Sequence, residues 1–531
     1  MFLGALQLLI GIETARSLYL DSTPTDELLP NAIPDPKARC RALKNTLRIE
    51  NTTILGSDFL QPGDTVSTVG ACGELGSWAE TPLCRVQFAI STSREGSEVK
   101  GEAWLPETWY GRVLGVGNGG LGGCIPFIDL TYGSSMHFAT VGSNAGHDGN
   151  FAAPFWNQPE TTIDFGHRAV HVQTVVGKQI VRAYYGRPHA KSYWIGCSMG
   201  GRQGLQSAIK YPADFDGILA GAPATDFNRL LYWTGMMARA VGIPDADSPA
   251  AISTEEWVAV SEEVMRQCDH LDGVRDGVIT EPDDCVFDPS ALSCSRRTTS
   301  KCLSRAQIDA LKKIYSPVYV DGVYTFPRFD PGAETMSQGI PLLDSQTDFP
   351  LYPGDWLKFT VLNETEFDFT EYGPEQLRQM ELVNPGGVAA YDGDLSAFRD
   401  RGGKLITYHG RMDAQIPSGN SKRMYNHIAK TLGLTSNGMD SFYRLFLIPG
   451  MDHCTGGPPV STSHFGQIGG SAPGSERNKS SHHIVLAMVD WVEGGMPPET
   501  IIGTSEDYQR TRLHCRYPMK SVWEGPAWRC V

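Results

Sequence analysis

The chain has 531 residues, and 45 Lys and Arg against 60 Asp and Glu give a formal charge of −15. Hydrophobic residues are 41% and charged residues 20%, which supports a packed core and excludes wholesale disorder. An acidic balance without clustered Lys and Arg also excludes a dedicated nucleic-acid binder.

Met1–Ile12 is a short apolar run followed by Glu13-Thr14-Ala15-Arg16-Ser17, which predicts a signal peptide over residues 1–17. No other apolar run approaches the ~20 residues of a membrane span. Sequons at Asn51, Asn363 and Asn478 fit secretion. So do twelve cysteines, an even number without any CxxC pair, which favours a disulfide framework over zinc or thioredoxin-like sites. Short spacing suggests Cys268–Cys285, Cys294–Cys302 and Cys515–Cys530, and leaves the other pairings open.

Short apolar runs read as buried parallel strands at Arg112–Gly117, Ser192–Ile195, Gly217–Ala220, Lys404–Tyr408 and Phe442–Ile448. Ala169–Tyr185 has apolar residues at helical spacing. This alternation predicts an α/β fold with a parallel sheet. A single core stops growing near ~250–300 residues, so an insertion is expected. The alternation fails between about Phe227 and Asp400, where the insertion is placed.

The first strand runs into Gly117-Asn118-Gly119-Gly120-Leu121-Gly122-Gly123. Without a dinucleotide or P-loop fingerprint, this loop reads as part of an oxyanion hole, with Gly119 or Gly120 as donor. The next strand enters Gly196-Cys197-Ser198-Met199-Gly200, and a helix-like run over Gly201–Tyr211 follows. A GxSxG between a strand and a helix is a nucleophile elbow, with Ser198 as nucleophile and the Met199 N–H as the second oxyanion donor. A chance match in a Gly-rich chain is the competing reading.

Inside the insertion, Asp269, Asp272 and Asp276 recur with Gly273 and Gly277, flanked by Cys268 and Cys285. Oxygen-rich, glycine-turned loops suit Ca²⁺; a polar surface turn is the alternative. Trp233, Met236, Met237, Tyr352, Trp356 and Phe359 are candidates to grip an aromatic ring. Arg296-Arg297 reads as an exposed basic pair.

An elbow serine needs a His base, and that His needs a carboxylate, in the chain order Ser, Asp, His. The loop His409-Gly410-Arg411-Met412-Asp413 offers Asp413, and Pro449-Gly450-Met451-Asp452-His453-Cys454 offers His453. His409 also follows a strand but precedes the carboxylate, so it is the rival candidate rather than the expected base. Cys197 and Cys454 adjoin Ser198 and His453, so a bridge between them would tie elbow to base.

These residues together resemble the fungal tannase/feruloyl esterase family. The likeness is carried by Gly196–Gly204, Tyr211–Gly217 with Gly221–Ala224, Asp164-Phe165-Gly166, the HG…D…IP loop and His453-Cys454 with Gly456-Gly457. It runs from about Cys40 to the end and implies an α/β-hydrolase domain (18–224 and 400–531) carrying a lid (225–399). It further implies the triad Ser198, Asp413 and His453, a Cys197–Cys454 bridge, and Cys40–Cys84 and Cys72–Cys124. It implies lid Ca²⁺ on Asp269, Asp272 and Asp276 with backbone oxygens of Val274 and Val278, secretion and glycosylation. The cysteine positions resemble feruloyl esterases more than tannases.

The expectation is a secreted serine esterase for phenolic-acid esters, most of all feruloyl esters of plant cell-wall polysaccharide, without nucleic-acid or membrane partners. The alternatives are galloyl or other aromatic esters, or a non-catalytic, calcium-stabilised binding protein on the same scaffold.

Overall fold

The computed structural model describes residues 35–531 apart from 68–71, 73–75, 246, 295–301, 337–348, 469–477 and 526. The expected signal peptide and Arg296-Arg297 lie outside the described residues.

One nine-stranded sheet organises the chain. Its strands are β1 (Thr52–Leu60), β2 (Leu83–Ser91), β3 (Glu98–Pro106), β4 (Arg112–Val116), β5 (Ala139–Ser143), β6 (Lys191–Cys197), β7 (Gly217–Gly221), β8 (Lys404–Gly410) and β9 (Tyr443–Ile448). The order across the sheet is β1-β2-β3-β5-β4-β6-β7-β8-β9. From β5 onward every neighbouring pair is parallel, while β1, β2 and β3 join it antiparallel. This is an α/β-hydrolase fold. The expected parallel strands are present, with ends shifted by at most two residues; the antiparallel strands were not anticipated.

Side chains alternate across the parallel strands. Tyr193, Ile195, Leu219 and Ile406 pack on one face against helix Ile484–Gly494. Trp194, Ile218, Ala220 and Leu405 pack on the other against helices Met199–Lys210 and Gly419–Leu432. Both faces are covered, which explains why these strands read as continuous apolar runs.

Between β7 and β8 the chain leaves the sheet and returns. This segment contributes helices Phe227–Ala240, Thr254–Cys268, Arg305–Ile314 and Pro374–Val383. Their apolar faces share one core with Met199, the first residue of helix Met199–Lys210, and with Leu121, Met412, Ala414 and Ile416, which stand on loops at the sheet's carboxyl end. Ala390, Leu395 and Phe398 pack instead into the core beneath the sheet. Asn51, Asn363 and Asn478 are exposed. Among the described residues no helix is long and apolar enough to cross a membrane.

Six disulfides staple the molecule: Cys40–Cys84, Cys72–Cys124, Cys197–Cys454, Cys268–Cys285, Cys294–Cys302 and Cys515–Cys530. These are the pairs expected from spacing, from the elbow argument and from the family resemblance.

Candidate active site

Ser198 stands where β6 meets helix Met199–Lys210, which begins two residues earlier than the sequence suggests. Its φ of 59° and ψ of −120° are strained for a non-glycine residue, at about 1–3 kcal/mol. The turn is held because Ser198 N–H donates to Gly221 O (2.9 Å) and Ala224 N–H donates to Ser198 O (3.1 Å). Close packing demands the flanking glycines. A Cβ on Gly196 would fall 2.5 Å from the Gly200 carbonyl carbon, and one on Gly117 would fall 2.6 Å from Gly200 Cα. Ser198 makes no capping bond with its side chain, so its hydroxyl is not spent on the helix.

The loop after β8 carries Asp413, fully buried. Its Oδ1 accepts from the amides of Gln415 and Ile416, both at 2.9 Å. Its Oδ2 accepts from His453 Nδ1 at 2.8 Å and lies 3.2 Å from His409 Nε2. Burial alone would raise this carboxyl, but the His453 charge and the hydrogen bonds from both histidines hold it well below the usual carboxylate range. For His453 burial lowers the affinity for a proton, yet Asp413 and then Asp452 outweigh it and raise the imidazole above its ordinary value. The bond at Nδ1 fixes the tautomer and leaves Nε2 for chemistry.

His409, the rival base, is wholly buried and committed elsewhere. Its Nε2–H donates to Ile416 O at 2.8 Å, and Ser421 Oγ–H donates to its Nδ1 at 2.7 Å. It braces the Asp413 loop, a role the sequence did not suggest.

The Cys197–Cys454 bridge, with Cα atoms 5.8 Å apart, joins the residue before Ser198 to the residue after His453. Cys454 also has a positive φ, 67°, so a strained residue stands at each loop.

In the glycine loop, Gly117 N–H goes to Ile195 O, Asn118 N–H to Gln203 Oε1, Leu121 N–H to Asn150 Oδ1 and Gly122 N–H to Gly119 O. Among the described residues the amides of Gly119 and Gly120 alone between 117 and 122 have no protein acceptor. Gly120 lines the cavity, whereas Gly119 is exposed and outside the lining. Gln203 returns a second bond, from Nε2 to Asn118 Oδ1 (2.9 Å), locking the loop to the elbow helix. Arg202, also buried, donates to the carbonyls of Phe165, Gly166 and Val388; burial lowers its pKa to about 9. Neither Arg202 nor Gln203 was singled out in the sequence, because their partners are distant in the chain.

A cavity of about 310 Å³ opens beside Ser198 and Met199, walled by Phe227, Leu230, Leu231, Thr234, Leu351 and Tyr352. Of the six proposed ring-gripping residues, Tyr352 alone lines it. Trp233, Met237 and Trp356 are buried core, and Met236 and Phe359 pack against that core, so these five are corrected. The helix carrying Trp233 turns Leu230, Leu231 and Thr234 to the cavity instead.

In the acidic loop, Asp269 Oδ1 accepts from Gly277 N (2.9 Å), Asp272 Oδ1 from Val274 N (3.0 Å) and Asp276 Oδ1 from Val278 N (3.2 Å). Among the described residues no three His, Cys, Asp or Glu side chains gather as a ready metal cluster. Even so, the Asp276 carboxyl is raised, first by burial and then by Asp272 and Asp269. An all-oxygen loop whose carboxylates repel one another fits a hard divalent cation in donor chemistry.

Comparison with known proteins agrees with this geometry. Residues 84–530 match the family model described as tannase and feruloyl esterase. A probable feruloyl esterase B-2 of Aspergillus flavus is 40% identical over 495 residues, 91% of this chain and 93% of that protein. A probable feruloyl esterase B of Aspergillus clavatus is 38% identical over 514 residues, 93% of this chain and 96% of that one. The crystal structure of feruloyl esterase B from Aspergillus oryzae superposes with a TM-score of 0.88 at 36% identity, covering 94% of this chain and 100% of that one. The tannin acyl hydrolase of Aspergillus niger, at 21% identity and TM-score 0.72 over 93% of this chain and 94% of that one, shares the fold. The chain belongs to the tannase and feruloyl esterase family.

Proposed function

We propose that the chain is a serine esterase that hydrolyses phenolic-acid esters, with feruloyl esters as its substrates. The observation that carries this is a carboxylate-held His453 tied by a disulfide to the elbow of Ser198, at the mouth of an apolar cavity. The high identity to feruloyl esterases over nearly the whole chain supports the acyl group.

Ser198 Oγ attacks the ester carbonyl while His453 Nε2 takes its proton, then returns it to the departing alcohol. Asp413 orients the ring and stabilises the imidazolium. The amides of Met199 and Gly120 receive the oxyanion. Water, deprotonated by the same His453, then releases the acid. The segment 225–399 acts as a lid that walls the acyl pocket. Asp269, Asp272 and Asp276, with the carbonyl oxygens of Val274 and Val278, would hold Ca²⁺, which supplies charge neutralisation to the loop. Six disulfides and three exposed sequons support passage through an oxidising secretory route.

The test is hydrolysis of methyl ferulate beside methyl gallate by wild type and Ser198→Ala. Ferulate turnover that falls about 10⁶-fold in the variant is expected. Gallate preference would move the substrate to galloyl esters, and no turnover of either by folded wild type would sink the reading.

A further inference from the structure

The Tyr352 hydroxyl lies beside the glycine loop on the wall of the cavity. Tyr352 belongs to the short helix Leu351–Asp355 and lines the cavity together with Ser198, Met199 and Gly120. Its oxygen accepts a hydrogen bond from Asn150 Nδ2 at 2.9 Å. The Asn150 amide is oriented by the main chain, because its Oδ1 takes the Leu121 N–H at 2.6 Å. A phenol that accepts in this way keeps its own O–H to donate, and the accepted bond polarises it. Among the described residues that O–H has no protein acceptor. A Cβ added to Gly120 would meet the hydroxyl at 2.6 Å, so the phenol oxygen lies against the loop assigned to the oxyanion.

We infer that Tyr352 is a further catalytic residue, a lid-borne phenol that donates to the oxyanion beside Met199 and Gly120. This rests on the reading of Ser198 as nucleophile. As the Oγ–C bond forms, the carbonyl π pair moves onto oxygen and His453 takes the serine proton. Tyr352 donates a hydrogen bond to that oxygen and keeps its proton. When the pair returns to rebuild the carbonyl, the alcohol leaves with the proton from His453. Asn150 is the positioning residue, joining the glycine loop to the lid through both ends of its amide.

The competing role is a contact with the phenolic ring. The experiment therefore compares wild type and Tyr352→Phe on methyl ferulate, methyl cinnamate (no ring substituent) and p-nitrophenyl acetate (no ring in the acyl group). A fall in kcat of about 10²-fold on all three, with KM nearly unchanged, is expected. Affinity for a trifluoromethyl ketone analogue of the tetrahedral adduct should fall by the same factor, with ferulic acid binding unmoved. Loss confined to methyl ferulate, or appearing only in KM, overturns the proposal, as does no loss at all.

Asn150→Asp provides a second arm. One carboxylate oxygen still takes the Leu121 N–H, while the other accepts and draws the Tyr352 O–H away from the cavity. The same order of loss is expected, with little further effect when Tyr352→Phe is added; additive losses overturn the proposal. Wild type active on the acetate but not on ferulate would remove the feruloyl reading and leave this test intact. Wild type inactive on all three would remove both.

Discussion

Around Ser198 the backbone itself is the structure: Gly117 and Gly196 pack against the main chain of Gly200, so closely that a Cβ on either would fall 2.6 or 2.5 Å from it. Across the cavity, Leu230, Leu231, Thr234 and Leu351 meet the same space with side chains. The first region tolerates almost no change and leaves a short, readable pattern. The second tolerates many apolar residues of similar volume and leaves little trace. Chemistry is thus encoded by sterics within a few residues, and acyl selection by packing over the insertion.

The comparison is tested most severely at Asp413. Asp413→Asn should lower kcat by roughly 10⁴-fold by disturbing the tautomer of His453. The pH profile carries a sign of its own. His453 must be neutral to act as base, and Asp413 raises its pKa. Wild-type kcat/KM should therefore rise with pH through a value above the ordinary ~6.5, and the variant's limb should move lower. An unmoved limb would show that another group titrates.

Next is the bridge between the two loops. Cys197→Ala with Cys454→Ala should lower stability by about 2–5 kcal/mol in denaturant titration and reduce kcat more than KM affinity. Unchanged kcat would mean that the hydrogen bonds alone hold His453. On the cavity wall, Leu351→Ala should raise KM for methyl ferulate about tenfold and leave p-nitrophenyl acetate turnover unaltered. Equal effects on both esters would erase the distinction between the two regions. The smallest effect is expected at the acidic loop: chelation should lower Tm by several °C, about 1–3 kcal/mol, and Asp276→Asn should abolish the response to added Ca²⁺. A Tm indifferent to chelator would remove the metal.

What was legible follows the same division. The buried parallel strands and the elbow are local patterns, so Arg112–Val116, Lys191–Cys197 and the turn at Ser198 were readable. The strands Thr52–Leu60 and Glu98–Pro106 were not, because a search for apolar runs passes over charged positions such as Glu98, Lys100 and Glu102. Trp233 and Trp356 looked like ligand contacts, but composition does not say which face of a helix meets a cavity. Which amides Ile195, Gln203 and Asn150 already occupy leaves Gly119 and Gly120 open, and the choice of Gly120 rests on which of the two lines the cavity, a tertiary matter.

The Cys197–Cys454 bond spans 257 residues of sequence and is closed only after β9 has been made. Nucleophile and base are therefore fastened together late in biosynthesis, by oxidation rather than by translation. A full-length but reduced chain would carry every catalytic side chain without that fastening. Gain of esterase activity would then serve as a clock for oxidative maturation, and a producing host would be judged by its thiol chemistry as much as by its yield.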